Sequence, residues 1–246
     1  MRAFTAFALL LAGTLHAHAQ CGLSDLGESF VASVRDDATL VLTDGREAKL
    51  FAIEAAPGAA SALRGLVQGR TLRLASGSPE PSDRYGRVLI FATVSGAPDT
   101  LQEKLLAGGD ARVSARVGSR TCADRLLALE DQARKAGLGL WANPNFALLP
   151  AEPGRWMETE RGRFVVVEGK VVSVRQSGGT IYVNFGRRYT RDFAVMIPRR
   201  LQAGFRAAGR DPQSFAGRQL RVRGWLERRT GPVIEAVAPE QIEVLD

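Results

Sequence analysis

The stretch from Asp83 to Arg87, with the sequence DRYGR, combines residue types that could bind a phosphate group. An aspartate that accepts backbone hydrogen bonds and a glycine that permits unusual backbone angles together predict a turn. The apolar run over residues 88–94 then predicts a strand with at least one buried face. Arg87 would stand at the mouth of this strand, where its guanidinium could donate two parallel hydrogen bonds to a phosphate. The alternative is an ordinary hairpin turn with a solvated arginine.

Histidine chemistry is excluded from the mature protein that we expect. Residues 4–15 are apolar, and an Ala-His-Ala motif precedes Gln20, so residues 1–19 are predicted to be a cleaved signal peptide. Both histidines, His16 and His18, lie inside it. Their loss excludes a histidine general base, a Ser-His or Cys-His nucleophile and a histidine metal ligand. We expect an exported protein, periplasmic or secreted, that does not span a membrane.

The two cysteines of the chain are Cys21 and Cys122, too few for a structural zinc site. In an oxidising compartment they predict one disulfide that closes a loop of roughly a hundred residues. Such a loop is worth about 4 kcal/mol in the chain-entropy model. The disulfide is favoured because both cysteines flank the first predicted domain, and a free buried thiol is the alternative.

Charge divides the chain near residues 148–154, where two prolines and a glycine mark a boundary. Residues 20–150 contain 15 Lys and Arg against 15 Asp and Glu, whereas residues 151–246 contain 17 against 11, a net charge of +6. We therefore predict one domain over residues 20–150 and a second over residues 151–246. The basic second domain suggests a polyanion as partner, although basicity can also serve solubility alone.

The first domain is predicted to be a small β-barrel with helices. Alternating polarity predicts strands at 30–35, 39–43, 47–53, 71–75 and 86–94. Helical spacing of apolar residues predicts helices at 59–68, 101–107 and 121–136. Strands in this number with interspersed helices are typical of a five-stranded barrel of the OB type.

Several motifs of the first domain occur in an order typical of one family. They are Asp36-Asp37-Ala38-Thr39, the segment from Lys49 to Pro57, the turn from Asp83 to Arg87, the segment from Leu129 to Arg134, and Gly137-Leu138-Gly139-Leu140-Trp141. In order and spacing, over nearly all of residues 30–145, they resemble the thermonuclease (staphylococcal nuclease-like) family. The resemblance implies the OB-type barrel of that family and, as an activity, calcium-dependent hydrolysis of nucleic-acid phosphodiesters.

The resemblance also implies a metal site and a general base, which this sequence has lost in part. Ala38 stands where the family has a metal-binding aspartate, and Glu54 replaces a second metal aspartate. Pro57 or Gly58 falls at the position of the general-base glutamate. Calcium takes about six to eight oxygen ligands, and a missing base costs roughly 100- to 10,000-fold in rate. We therefore expect no metal or other cofactor; calcium would be needed only if the site has been remodelled.

The phosphate-binding positions of the family are better preserved. Lys49 replaces one arginine and keeps its charge without its two-pronged geometry. Arg87 matches the second arginine unchanged. One hypothesis is that Lys49, Glu54 and Arg87 form a vestigial phosphate pocket, with Tyr85 beside it as a nucleic-acid contact. The other hypothesis is that Glu54 and Arg87 form an ion pair across the barrel.

The second domain has its own strand pattern. We predict strands at 163–175, 180–185, 190–197, 219–227 and 232–237, a helix at 198–208 and an edge segment at 239–245. A helix between the third and fourth of five strands is again the order of an OB barrel. This domain resembles, more loosely, the extra C-terminal domains of some bacterial thermonuclease-like proteins.

Alternation predicts an arginine-rich outer face for this second barrel. In residues 220–226 the apolar positions would face the core, so that Arg221, Arg223 and Trp225 would face outward together. Tyr182 would also face outward, on a neighbouring strand. Arginines beside aromatic rings are typical of grooves that bind single-stranded nucleic acid. The alternative is a soluble arginine-rich face whose Trp225 packs under a loop or against the first domain.

The sequence thus predicts an exported α+β protein, mainly β, of two OB-type five-stranded barrels, the first staphylococcal nuclease-like. We expect a degenerate site that binds single-stranded DNA or RNA, another polyanion or an envelope protein, without efficient hydrolysis. One alternative is an active calcium-dependent nuclease whose remodelled site uses Lys49, Glu54 and Arg87. The other is a structural interaction module of the cell envelope.

Overall fold

A computed structural model describes residues 21–78 and 80–245. The predicted signal peptide lies outside these described residues. The described chain is α+β, mostly strand with five α-helices. None of these helices is long and apolar enough to cross a bilayer.

The first domain is built on a closed barrel. Its strands are β1 (Ser24–Val34), β2 (Thr39–Leu42), β3 (Glu47–Leu50), β4 (Ile53–Ala55), β5 (Thr71–Ser76), β6 (Val88–Val94) and β7 (Ala111–Val113). Five of them close the barrel in the order β1, β2, β3, β6, β5, and only the β3–β6 pair is parallel. The short strands β4 and β7 form a separate antiparallel pair. The predicted five-stranded barrel of this domain is confirmed.

Three helices cover this barrel: α1 (Ala60–Val67), α2 (Leu101–Gly108) and α3 (Arg120–Lys135). α2 begins with a capping box, in which Thr100 accepts from the backbone of Glu103 and the Glu103 carboxylate accepts from the backbone of Thr100. One continuous apolar core contains strand residues such as Leu40 and Leu72 together with Leu105 and Leu126 of the helices. The helices are therefore part of the barrel core.

A disulfide joins Cys21 to Cys122, with their Cα atoms 4.9 Å apart. Cys122 lies in the first turn of α3, where Ser119 caps the helix. The bond therefore fastens the segment before β1 to α3. This is the pairing expected from the sequence.

The second domain contains β8 (Leu149–Pro150), β9 (Phe164–Lys170), β10 (Ser173–Ser177), β11 (Thr180–Asn184), β12 (Ala194–Ile197), β13 (Gln219–Arg228), β14 (Pro232–Glu235) and β15 (Ile242–Val244). These form one eight-stranded sheet in the order β10, β11, β12, β14, β13, β9, β8, with β15 paired to β13. Two helices accompany it, α4 (Trp156–Thr159) and α5 (Arg199–Ala207). As predicted for residues 198–208, a helix, α5, lies between β12 and β13 in the chain.

Two strand predictions for this domain need correction. The single strand expected at 163–175 is divided at Val171 and Val172, because their N–H groups donate to opposite neighbours, the carbonyls of Arg218 and Asn184. The strand expected from residue 190 begins only at Ala194. The second domain forms one sheet of eight strands, where five strands were predicted. The OB-type barrel of this domain remains a prediction.

Candidate anion-binding sites

The turn from Asp83 to Arg87 is held together by the Asp83 carboxylate. Its Oδ1 accepts the N–H groups of Tyr85 at 2.9 Å and of Arg87 at 3.1 Å. Gly86 adopts a φ of 79°, a conformation that favours glycine. The second oxygen, Oδ2, lies 2.8 Å from Arg87 Nε and 2.6 Å from Nη2. The aspartate thus shapes the turn and fixes the guanidinium.

The positive charge of Arg87 is compensated by two carboxylates, those of Asp83 and Asp36. Its Nη1 donates to Thr39 Oγ1 at 3.4 Å and lies 4.0 Å from Asp36 Oδ2. Burial favours a raised pKa for Asp36, but hydrogen bonds from Ala38 and Thr39 and the Arg87 charge bring the pKa below its ordinary value. Asp83 behaves alike: hydrogen bonds from Arg87 and Tyr85 outweigh burial and lower its pKa. Of the five guanidinium N–H donors, about two remain for a ligand.

The predicted phosphate-binding residue Lys49 lies on β3, next to Thr39 of β2. It is the cross-strand partner of Thr39 between β2 and β3, so Lys49 and Arg87 flank one threonine. Tyr85 is 67% exposed, and its ring centroid lies 5.3 Å from the Arg87 guanidinium carbon. The structure therefore brings Tyr85 to Arg87 and places Lys49 on the strand next to Thr39.

Glu54 lies within reach of the Lys49 charge and forms no ion pair with Arg87 among the described residues. On β4 it stands opposite Arg112 of β7. Burial raises the pKa of Glu54 against the opposing effects of the Lys49 charge, a hydrogen bond with Ser114 and the Arg112 charge. Within the described residues Arg87 pairs with Asp83 and Asp36, and the alternative of a Glu54–Arg87 ion pair is wrong.

The residues at the metal positions do not fit calcium. Ala38 offers no side-chain oxygen, and the carboxylate of the adjacent Asp37 is used by α1, where its Oδ1 accepts the Ala60 N–H at 2.9 Å. The position expected for the base carries Pro57 or Gly58, and neither side chain can act as a base. In the described ranges no three His, Cys, Asp or Glu side chains converge on a point where they could hold a metal ion. Such a donor set is far from the oxygen cage that calcium requires.

The outward, solvent-facing position predicted for Arg223 is wrong, and that of Arg221 is largely wrong. Arg223 is 1% exposed; its Nη1 donates to Glu130 Oε1 at 2.8 Å and its Nη2 to Glu243 Oε1 at 2.5 Å. Arg221, 13% exposed, donates to Glu168 at 3.0 Å and lies 3.4 Å from Glu243.

The physical reason is that the outer face of β13 is covered by the first domain. Glu130 belongs to α3, and Arg223 also donates to the carbonyl of Val113 in β7. Burial favours a lowered pKa for Arg223, but Glu130 and Glu243 raise its pKa overall. Arg223 is therefore a charged contact between the domains, inaccessible to nucleic acid.

Trp225 lies at the edge of a cavity of about 230 Å³ between the two domains. The side chain is 52% exposed and meets Phe164 edge to face at 6.0 Å. Arg112 of the first domain stacks on the same Phe164, 5.1 Å from its ring centroid, and Glu54 lines the cavity. Trp225 is thus exposed, as predicted, but it lies beside the first domain, in a cavity that Arg112 and Arg163 also line.

A groove of about 400 Å³ on the second domain was not found from the sequence. We call it the tyrosine groove; its polar and aromatic lining includes Arg175, Tyr182, Asn184, Tyr189 and Arg229. Of these, only Tyr182 was predicted as a nucleic-acid contact. The glycine pair Gly178-Gly179 could have predicted part of this groove. It indicates a two-residue hairpin loop, and such a loop places Arg175 opposite Tyr182.

A family model matches part of the first domain. The model of the staphylococcal nuclease homologues matches residues 46–143, which run from β3 to the end of the segment after α3. Together with the closed five-stranded barrel, this match shows that the chain contains a staphylococcal nuclease-like domain. No curated protein matches the chain.

Proposed function

We propose that this is an exported protein whose staphylococcal nuclease-like domain binds nucleic acid or another polyanion without efficient hydrolysis. The observation that carries the proposal is the replacement of the site carboxylates. At the three positions that the resemblance assigns to carboxylates, the chain has Ala38, Pro57 or Gly58, and Glu54, which interacts with Lys49, Ser114 and Arg112.

Hydrolysis of a phosphodiester needs an attacking water that is activated by a base within hydrogen-bond reach. The turn around Arg87 presents Asp83 and Asp36, but both carboxylates are engaged with Arg87 and with backbone N–H groups. Hydrogen bonds to the charged form lower the pKa of both groups, which makes them weak bases.

Binding requires less than hydrolysis. Arg87 retains about two N–H donors, and Lys49 adds a charge on the same side of Thr39. The second domain, with its net charge of +6 over residues 151–246, extends the attraction for a polyanion. Such binding weakens steeply as salt concentration rises.

Export rests on the predicted signal peptide and is supported by the disulfide between Cys21 and Cys122, because disulfides persist mainly in oxidising compartments. We infer a periplasmic or secreted protein.

The test compares residues 20–246 with the Arg87→Ala variant in DNA and RNA degradation, with calcium and with a chelator. Arg46→Ala is a matched control, since Arg46 also pairs with the aspartate of its own turn, Asp44. We expect no calcium-dependent cleavage, and salt-sensitive retention of nucleic acid that weakens in Arg87→Ala but not in Arg46→Ala. Cleavage that requires both calcium and Arg87 would instead establish a remodelled nuclease. If neither cleavage nor retention is observed, a structural envelope module is the remaining explanation.

A further inference from the structure

We propose that the tyrosine groove of the second domain binds a single-stranded nucleic acid, with bases stacked on Tyr182 and Tyr189 and phosphates held by Arg175. This inference rests on the proposed function, since it names the polyanion and the surface that binds it. In this proposal the main nucleic-acid contact is the tyrosine groove and not β13, where Arg221 and Arg223 were expected to bind nucleic acid.

The floor of the groove is a row of side chains across three strands. Arg175 of β10, Tyr182 of β11 and Met196 of β12 are successive cross-strand partners. Their neighbours Ile181 and Val183 belong to the apolar core, so that Tyr182 lies on the outer face. A ring flanked by a guanidinium and a thioether offers a flat apolar platform with a charge at its edge.

The rim is formed by two loops that touch each other. A Cβ added at Gly231 would lie 2.3 Å from the carbonyl oxygen of Tyr189, so that these two backbones are in close contact. Tyr189 itself is 74% exposed. The backbone of the loop that carries Tyr189 is thus packed against the loop that carries Gly231, while the tyrosine ring stays exposed to solvent. An exposed ring on a supported backbone can stack on a base at a small entropic cost.

Charge favours an anionic polymer. No aspartate or glutamate that the structure describes lines the groove. Arg175 makes no ion pair with a described residue, whereas Arg229 is shared between Glu235 at 2.8 Å and Glu227 at 3.4 Å. Further exposed arginines in the loop from Arg187 to Arg191 adjoin Tyr189. At least one guanidinium therefore faces the groove without compensation.

The shape of the site favours single strands. A volume of about 400 Å³ is within the range of pockets that hold small ligands, and it suits a nucleotide or two more than a duplex. Tyrosine stacking needs an exposed base face, which paired and stacked duplex bases do not offer. Sequence-tolerant stacking on aromatic rings beside a basic path is how single-stranded nucleic acid is bound in general.

The experiment is fluorescence anisotropy of a labelled oligothymidylate of about 12 nucleotides, titrated with the full mature chain at several salt concentrations. We expect Tyr189→Ala and Arg175→Gln each to weaken binding about 10-fold, as loss of one stacked base or one phosphate contact implies. Arg175→Gln should also lower the salt slope by about 0.7. Tyr189→Phe, which keeps the ring, should bind like the unaltered protein.

Matched controls are Phe30→Ala, an aromatic that is 48% exposed on the first domain, and Arg70→Gln, an exposed arginine there. We expect both to stay within about 2-fold of the unaltered protein, since neither lies in the groove. An unlabelled duplex should compete poorly. Equal affinity for the duplex, or unchanged binding by Tyr189→Ala and Arg175→Gln, would overturn the proposal.

The outcomes also separate this inference from the proposed function. Oligonucleotide binding that is lost in Arg87→Ala but kept in the groove variants would support polyanion binding by the first domain and overturn the groove. Binding that is lost only in the groove variants would support the groove and remove the role of Arg87. No binding of oligothymidylate or of polyphosphate would overturn both.

Discussion

The two candidate binding regions hold their arginines in opposite ways. In the first domain, Arg87 is 19% exposed and lies 2.6 Å from Asp83, with Asp36 at 4.0 Å. In the tyrosine groove, Arg175 makes no ion pair with a described residue. An aromatic ring accompanies each arginine, Tyr85 in one region and Tyr182 in the other. The residue types are the same, but the charge available to a ligand differs.

This comparison teaches that the charge an arginine offers to an anion depends on how far neighbouring carboxylates already compensate it. The third case is Arg223, which pairs with Glu130 and Glu243 and is buried between the domains. The same residue type thus serves as a fixed turn element, a free contact and an interdomain anchor. Substitutions at these three arginines or at their partners should distinguish the three roles.

The largest effect is expected for Arg223→Met, which removes the buried interdomain charge. Glu130 is 3% exposed and would lose its partner, so the free energy of unfolding should fall by about 3–5 kcal/mol. Urea unfolding measures the change. Arg200→Met is the control, because the exposed Arg200–Glu235 pair should contribute less than about 1 kcal/mol. A loss of that small size in Arg223→Met would show that the interface does not depend on this charge.

A smaller effect is expected for Asp83→Asn, which sharpens the comparison by removing the compensation of Arg87. The amide oxygen can still accept the N–H groups of Tyr85 and Arg87, so stability should fall by only about 1 kcal/mol. Affinity for an oligonucleotide should rise a few-fold, because Arg87 regains net charge. Asp44→Asn removes the same charge from another turn of this domain and should leave affinity nearly unchanged.

The effect of Asp83→Asn on stability should depend on pH. Since the folded-state pKa of Asp83 lies below its ordinary value of 3.8, the carboxylate stabilises the protein above that pH. This stabilisation is lost as pH falls through the folded-state pKa. Unfolding curves of the two proteins should therefore differ at pH 7 and converge in acid. A difference that stays constant down to acid would contradict the assignment.

Glu54→Gln should change stability with the opposite sign. Because burial raises the pKa of Glu54 above its ordinary value of 4.5, the ionised carboxylate costs stability once pH exceeds that value. The glutamine variant should thus gain relative to the unaltered protein as pH rises from 4 towards neutrality. Thermal unfolding over this range measures the gain, and a variant that becomes relatively less stable as pH rises would contradict the prediction.

The smallest effect on stability is expected for Arg175→Gln. Its guanidinium has no described ion-pair partner, so the free energy of unfolding should change by less than about 0.5 kcal/mol. This small change is what makes the variant useful in binding measurements. A large loss of stability would mean that Arg175 has a structural role and is not a free contact.

The sequence predicted the barrel of the first domain and the turn around Arg87, because local periodicity and turn residues determine them, and it predicted the cysteine pair because the chain has only two cysteines. It failed for Arg223, since alternation along β13 tells which side of the sheet a residue occupies but not what covers that side. The covering residue, Glu130, is 93 positions away in the chain. The groove was missed for a similar reason: it joins Tyr189 and Gly231, which no local pattern relates.

The disulfide has a consequence for the order of events during synthesis. Cys21 and Cys122 are 101 positions apart, so the first thiol must wait unpaired until all barrel strands and α2 have been made. Its oxidation then secures α3, the helix whose Glu130 later receives Arg223. An early wrong partner is not available within the chain, since it contains no third cysteine. The disulfide therefore ties the segment before β1 to α3, the same helix that the second domain contacts through Arg223.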